Sequence, residues 1–321
     1  MTTYGYTLLC EQAPPDQLVA DAAGAEEAGF DFAVMSDHYY PWLAEQGHSP
    51  YAWSVLGAVA HATQGMSLMS FVTCPIRRYH PAVVAQKAAT MGVLSGGRFT
   101  LGLGAGENLN ERVVGDWPPV AHRHQMFEEA LEIIRALLDG GALSYTGEYF
   151  EVGRAELFDL PPERVPVAVA VSGPDSCALA GEYADAMVAA EPDADLVHLF
   201  QQSGGDGRRY GQVAVCYGPD EQECRKLARE QWRWAALDWT ARAELPGPRS
   251  FDAATRTVRD DDVAATVPCG PDLDRHVAAV AAYRDAGFTD IALVQVGREG
   301  QAEFRRWAAE ELLPALREFD S

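Results

Sequence analysis

A chain of 321 residues with a formal net charge of −22 is long enough to bury a large core, and too acidic to bind nucleic acid or an anionic membrane non-specifically. No apolar run approaches the ~20 residues that cross a bilayer, and no basic start with an apolar stretch marks a signal peptide. Cys10, Cys74, Cys177, Cys216, Cys224 and Cys269 form no Cys-x-x-Cys pair, which predicts a cytoplasmic protein with reduced thiols packed as small hydrophobes, without a zinc site.

The first apolar strand is expected over Tyr4–Leu9. A helix follows from Pro15, entered by Pro14-Pro15 and ended by Gly29. A second strand spans Phe32–Met35, a helix Ala52–Ala62, a third strand Ser67–Thr73, a helix Pro81–Leu94 and a fourth strand Phe99–Leu103. Phe127, Leu131, Ile134 and Leu138 give the helix from His122 its apolar face. Leu143–Val152 alternates around Gly147 and reads as a hairpin insertion.

Strands Val167–Val171, Ala186–Ala189, Gln212–Tyr217 and Ile291–Val296 then alternate with helices at Ser176–Tyr183, Asp195–Gln202, Asp220–Trp234, Asp274–Ala286 and Glu303–Phe319. Glu244–Asp262, rich in Pro, Gly, Arg and Asp, reads as a long excursion. Near-continuous apolar strands separated by helices imply parallel pairing. Eight of them favour a closed (β/α)8 TIM barrel over an open doubly wound sheet. Glu27-Ala28-Gly29-Phe30 and Asp285-Ala286-Gly287-Phe288 echo each other, each ending a helix on Gly before a strand. The expectation is one domain over 1–321, with insertions near 143–152 and 244–262.

In such a barrel the strands' carboxyl ends carry the chemistry. Those ends hold Cys10-Glu11, Asp37-His38 with Trp42, Thr73, Gly104–Asn110, Ser172-Gly173 and Glu191. His38 can accept a proton near neutral pH, and Trp42 offers a flat apolar face with one N–H. Gly102-Leu103-Gly104-Ala105-Gly106-Glu107 lacks both the dinucleotide Gly-x-Gly-x-x-Gly spacing and a P-loop lysine. Taken alone it is a tight turn, but it sets a proton-donating carboxyl beside flexible backbone. Ser172–Ser176 opens a helix and is as readable as an ordinary cap as an anion site. Trp232, Trp234 and Trp239 read as core packing or a subunit contact, and His122-Arg123-His124 as a solvated helix start rather than a metal site.

Gly29-Phe30-Asp31 with Ser36-Asp37-His38, then Gly47–Pro50, Arg78–Gln86, Ala89-Thr90-Met91 and Gly104–Glu111 together resemble the luciferase-like, deazaflavin-dependent oxidoreductases, in particular the coenzyme F420-dependent glucose-6-phosphate dehydrogenase group. The resemblance is close over residues 4–115 and weak over 200–285. It implies a (β/α)8 barrel and coenzyme F420, a deazaflavin with a lactyl-oligoglutamyl phosphate tail. It implies His38 as the base that takes the hydroxyl proton of an alcohol or sugar as hydride leaves for the deazaflavin C5, with Trp42 over the reacting centre and Glu107 as acid. Asp37, Gly106 and Asn110 would hold the cofactor, as would the Ser70-Phe71-Val72-Thr73 stretch, which in the family carries a non-prolyl cis peptide. Ser172 and Gly173 would hold the tail phosphate, Glu11 and Glu191 would face the substrate, and the enzyme would be a homodimer.

The expected phosphate clamp has no counterpart. Ala190-Glu191-Pro192-Asp193 is acidic where a cation belongs, and Val263–Thr266 holds no arginine. Arg249, Arg256 and Arg259 are the remaining local cations. The expectation is a dehydrogenase that does not prefer glucose 6-phosphate. An FMN-dependent monooxygenase and a non-catalytic deazaflavin-binding protein are the alternatives.

Overall fold

Strands β1 (Thr3–Thr7), β2 (Phe32–Met35), β3 (Ser67–Ser70) and β4 (Phe99–Leu103) form half of a barrel in the computed structural model, which describes residues 2–318. An antiparallel hairpin, β5 (Leu143–Thr146) and β6 (Glu151–Ala155), interrupts the series. Strands β7 (Val167–Ala170), β8 (Ala186–Ala189), β9 (Arg208–Val215) and β10 (Asp290–Gln295) complete it. The eight barrel strands close in the order β1-β2-β3-β4-β7-β8-β9-β10, each pair parallel. This is the (β/α)8 barrel expected from the alternation of strands and helices.

Helices α1 (Pro15–Glu27), α2 (Ala52–Ala62), α3 (Pro81–Leu94), α4 (Asn108–Glu111) and α5 (Val120–Leu138) accompany the first half. Pro at the first turn starts α1 and α3. The echo between the two halves is structural: Gly29 and Gly287 end their helices at φ +90° and +96°, a conformation that a side chain would strain.

Helices α6 (Pro174–Tyr183), α7 (Ala194–Gln202) and α8 (Glu221–Trp232) follow β7, β8 and β9. The Pro- and Asp-rich excursion is not irregular. It folds into α9 (Trp239–Glu244), α10 (Pro248–Ala254) and α11 (Asp260–Ala264). Asp238 caps α9 by accepting from the Thr240 N–H, and Pro248 opens α10, so the residues that read as loop signals are helix starts. Helix α12 (Leu273–Asp285) precedes β10. The chain closes with α13 (Gln301–Trp307), one π turn and α14 (Leu313–Glu318); the expected end at Phe319 lies outside the described residues.

Three apolar clusters hold the fold. The largest fills the layer between strands and helices. A second, with Phe32, Val34, Met69, Ala168, Val188, Tyr210 and Ala292, takes one residue set from across the barrel strands. Gly5 belongs here because a Cβ on it would fall on the Phe32 ring. The third joins Trp42, Leu109, Cys216, Cys269 and Val294 to Trp232 and Trp234, at and just after the end of α8, and to Phe251 and Val263 of the excursion, which together become a cap on the barrel mouth. Among the described residues no helix is long and apolar enough to cross a membrane.

Candidate active site

Glu11 and His38 leave adjacent strands, β1 and β2, at their carboxyl ends. Nδ1 of His38 lies 2.6 Å from Oε1 of Glu11, with side chains 9% and 3% exposed. Burial alone would favour a neutral imidazole. The Glu11 charge and hydrogen bond, with Glu107 adding, override burial and raise the His38 pKa above its ordinary value. In return His38 outweighs the burial of Glu11 and lowers the carboxyl's pKa. Glu11 is therefore an ion-pair partner that orients His38, rather than a free acid facing the mouth.

Trp42 meets the His38 ring edge-on, with centroids 5.2 Å apart at 84°. Its face stacks on Trp234 of the cap at 4.3 Å and 6°, and Phe251 packs against its edge at 5.2 Å. The reading of Trp234 as core packing holds, but that packing is against the site. Asn110, on α4 after β4, accepts from the backbone N–H groups of Tyr39 (2.8 Å) and Tyr40 (3.2 Å) and donates to Glu107 Oε2 (3.4 Å). One amide thus ties the β2 turn, with His38 and Trp42, to the β4 turn, with Glu107.

Asp37 is buried beneath this mouth. Its carboxylate accepts from Trp53 Nε1 (3.0 Å), Thr73 Oγ1 (2.9 Å), Tyr79 OH (3.1 Å) and Arg78 Nη1 (3.4 Å). Arg78 also donates to the Asp37 carbonyl oxygen and, through Nε, to Glu111 Oε1 at 2.8 Å. Ser70 is equally inward. Its hydroxyl donates to the Gly102 carbonyl oxygen and accepts from the Gly102 N–H. Asp37, Ser70 and Thr73 therefore build the floor with their side chains. The Phe71–Val72 peptide is cis, and Val72 is half-buried at the mouth.

The glycines after β4 admit the neighbouring strand. A Cβ at 104 would stand 2.8 Å from Val72 Cγ2, and one at Gly106, where φ is +80°, would stand 2.5 Å from Cys74 Sγ. Ser172 and Gly173 precede α6, where both their N–H groups donate to Ser176 Oγ at 2.9 and 3.2 Å. Glu191 is exposed after β8 and accepts from the buried Arg242 of α9 at 3.0 Å. Arg242 was not among the expected local cations. Arg249 and Arg256 are exposed, and Arg259 is paired with Asp262 at 2.7 Å. The cap's other buried arginine, Arg233, pairs with Glu45 and Asp252. Arg78, Trp53 and Tyr79 were missed as site-builders. Arg78 stands inside a motif that carried the resemblance, but nothing local announces its carboxylate partners.

The family model for luciferase-like monooxygenases matches residues 2–290. The chain belongs to that family. Within it, the chain is 38% identical over 294 residues to an F420-dependent hydroxymycolic acid dehydrogenase of Mycobacterium tuberculosis, covering 88% of this chain and 80% of that one. It is 33% identical over 330 residues to an F420-dependent glucose-6-phosphate dehydrogenase of Microbacterium testaceum, covering 98% and 97%. A solved F420-dependent secondary alcohol dehydrogenase, in complex with an F420–acetone adduct, superposes with a TM-score of 0.90 at 27% identity, covering 98% and 99% of the two chains.

Proposed function

We propose that this family member is a coenzyme F420-dependent dehydrogenase that oxidises an uncharged alcohol. The observation that carries the reading is the Asn110 bridge, which sets a base, an indole and a carboxyl at one barrel mouth. The groups there suit a planar deazaflavin: half-buried Val72 offers an apolar platform, and Glu107 with Asn110 offers a carboxyl and an amide at its edge. Phe71, Val72, Gly106 and Asn110 would hold the ring, with Asp37, Ser70 and Thr73 as the floor. Ser172 and Gly173 would hold the tail phosphate once Ser176 turns its hydroxyl toward it.

When bound, coenzyme F420 supplies a hydride acceptor at the deazaflavin C5. His38 Nε2 takes the hydroxyl proton of the substrate, while Glu11 holds Nδ1 and stabilises the imidazolium that results. Trp42 excludes water beside that nitrogen. Glu107 is the acid on the cofactor side. The cap supports an uncharged substrate, because Trp234 and Phe251 line Trp42 and the buried arginines already have carboxylate partners. The same reading takes the whole chain as one unit, acting in the cytoplasm as a homodimer.

The test is a panel of alcohols, glucose and glucose 6-phosphate with oxidised F420, following the loss of cofactor absorbance. Turnover of alcohols, with no strong preference for the phosphorylated sugar over glucose, is expected. A strong preference for glucose 6-phosphate would refute the uncharged-substrate assignment. Oxygen consumption with reduced FMN and no F420 turnover would refute the dehydrogenase.

A further inference from the structure

Arg77 lies in the loop after β3, next to the Arg78 that braces the site floor, and the two arginines differ sharply in their partners. Arg78 is held by Asp37 and Glu111. Arg77 makes no hydrogen bond or ion pair among the described residues, and its Nε is buried. The other described arginines without partners, Arg112, Arg154, Arg249, Arg256, Arg298 and Arg306, are all on the exposed surface. A partly buried guanidinium left open in a chain with 47 acidic residues needs a reason.

The surroundings keep it open. Glu111, the nearby carboxylate, is fixed by the Arg78 backbone N–H (3.0 Å) and Nε (2.8 Å). Gly115 faces the guanidinium, and a Cβ there would stand 3.4 Å from Nη2. Its backbone, at φ +132° and ψ −141°, is one that glycine alone adopts readily. The residue of this turn that faces the guanidinium therefore brings no side chain to it.

We infer that Arg77 is an anion-binding residue for the acidic tail of the deazaflavin cofactor, an inference that rests on the proposed F420 dependence. The strand order favours the tail over the substrate. The aromatic cluster of Trp42 and Trp234 takes Leu9, Cys216, Val294 and Val296 from the β1, β9 and β10 side and Leu109 from the β4 turn, whereas Arg77 lies on the contiguous arc β3-β4-β7 that leads to Ser172-Gly173. Electrostatics gives the residue a purpose. A phosphate and a run of glutamyl carboxylates must settle on a protein of net charge −22, so the landing site needs a cation not already neutralised. The tail's phosphate and its carboxylates are both oxyanions, which a guanidinium binds with directed hydrogen bonds.

The experiment compares equilibrium binding of F420 with that of the tail-free deazaflavin (8-hydroxy-5-deazariboflavin), followed by their fluorescence. Wild type, Arg77→Gln and Arg77→Lys are titrated at low and high salt, with thermal melting as the folding control. Arg77→Gln is expected to weaken F420 binding about tenfold at low salt and to leave tail-free binding unchanged. Arg77→Lys should recover part of the loss, and salt should shrink the wild-type advantage of the tail. Deazaflavin carrying the phosphate but no glutamates separates the two oxyanion sources: a loss retained with it names the phosphate, and a loss absent with it names the carboxylates. Unchanged F420 binding in Arg77→Gln, or an equal loss for the tail-free compound, would overturn the assignment. So would a raised KM for an anionic substrate with F420 affinity intact. Failure of the wild type to bind either deazaflavin would instead bring down the F420 reading, and this inference with it.

Discussion

Glu11 and His38 share one short contact, Nδ1 to Oε1 at 2.6 Å, between two side chains largely withdrawn from water. The contact fixes which ring nitrogen remains for substrate and sets when that nitrogen is free of its proton. Alcohol oxidation needs the unprotonated imidazole, so kcat/KM should rise with pH through a His38 pKa above the ordinary 6.5. Glu11→Gln removes the larger charge that raises this pKa and leaves burial and Arg78, which lower it, against Glu107 alone, which raises it. The rising limb should therefore move to lower pH. For carbonyl reduction the protonated form is the acid, and the same limb should fall with rising pH. His38→Ala should cost ~10² to 10⁴ in rate. A pH–rate profile of Glu11→Gln superimposable on wild type would exclude this coupling.

Asp37 predicts a stability effect rather than a kinetic one. It is 2% exposed and receives Trp53, Thr73, Tyr79 and Arg78. Asp37→Ala leaves Arg78 with Glu111 as its one carboxylate, beside the backbone carbonyl of residue 37, and takes the shared acceptor from three other donors. Breaking a buried pair from one side costs about 3–5 kcal/mol, so the urea midpoint should fall accordingly. A loss below about 1 kcal/mol would mean that water replaces the carboxylate, contrary to the burial.

Much of this architecture is legible in the sequence, for identifiable reasons. Phe32–Met35, Ala52–Ala62, Pro81–Leu94 and Ala186–Ala189 have the observed bounds because Pro, Gly or capping residues punctuate them. Strand β9 begins at Arg208, earlier than its apolar pattern suggests, because Arg208 and Arg209 pair with Ala186 and Met187 of β8, and the Arg208 side chain also binds Asp290 at 2.8 Å. His38, Trp42 and Glu107 could be proposed from strand-end positions alone. The pairings Glu11–His38, Arg78–Asp37 and Trp42–Trp234 could not, since each joins different elements and follows no local period. The cap was hidden for another reason: its helices are short, and their starting residues are also turn formers.

Gly102 tests the contact between β3 and β4 at the floor. A Cβ there would fall on the Ser70 carbonyl oxygen and press on Met69 Cε at 2.9 Å. Backbone cannot yield as a side-chain tip does. Gly102→Ala should cost near the upper end of the about 1–3 kcal/mol typical of overpacking, read as a lowered melting temperature. Ala at Gly57, inside α2 where nothing lies within 4 Å, is the control and should melt at or above the wild-type temperature, since Ala favours a helix interior over Gly. Equal melting of the two variants would mean that the strands separate freely.

Trp234 tests whether the cap selects the substrate. It stacks on Trp42 at 4.3 Å, and Trp42 in turn meets His38, so the cap reaches the proton acceptor through a single intermediate ring. Trp234→Leu keeps an apolar side chain but frees part of the volume over Trp42, which favours larger alcohols in the space gained. Differences of one or two carbons in an apolar pocket change kcat/KM about 10- to 200-fold. The ratio of kcat/KM for a branched secondary alcohol to that for 2-propanol should therefore rise by about tenfold or more, mainly through KM. Thermal melting separates this from general damage, because lost stacking lowers both stability and all activities together. A parallel fall for both alcohols at an unchanged ratio would assign Trp234 to packing alone.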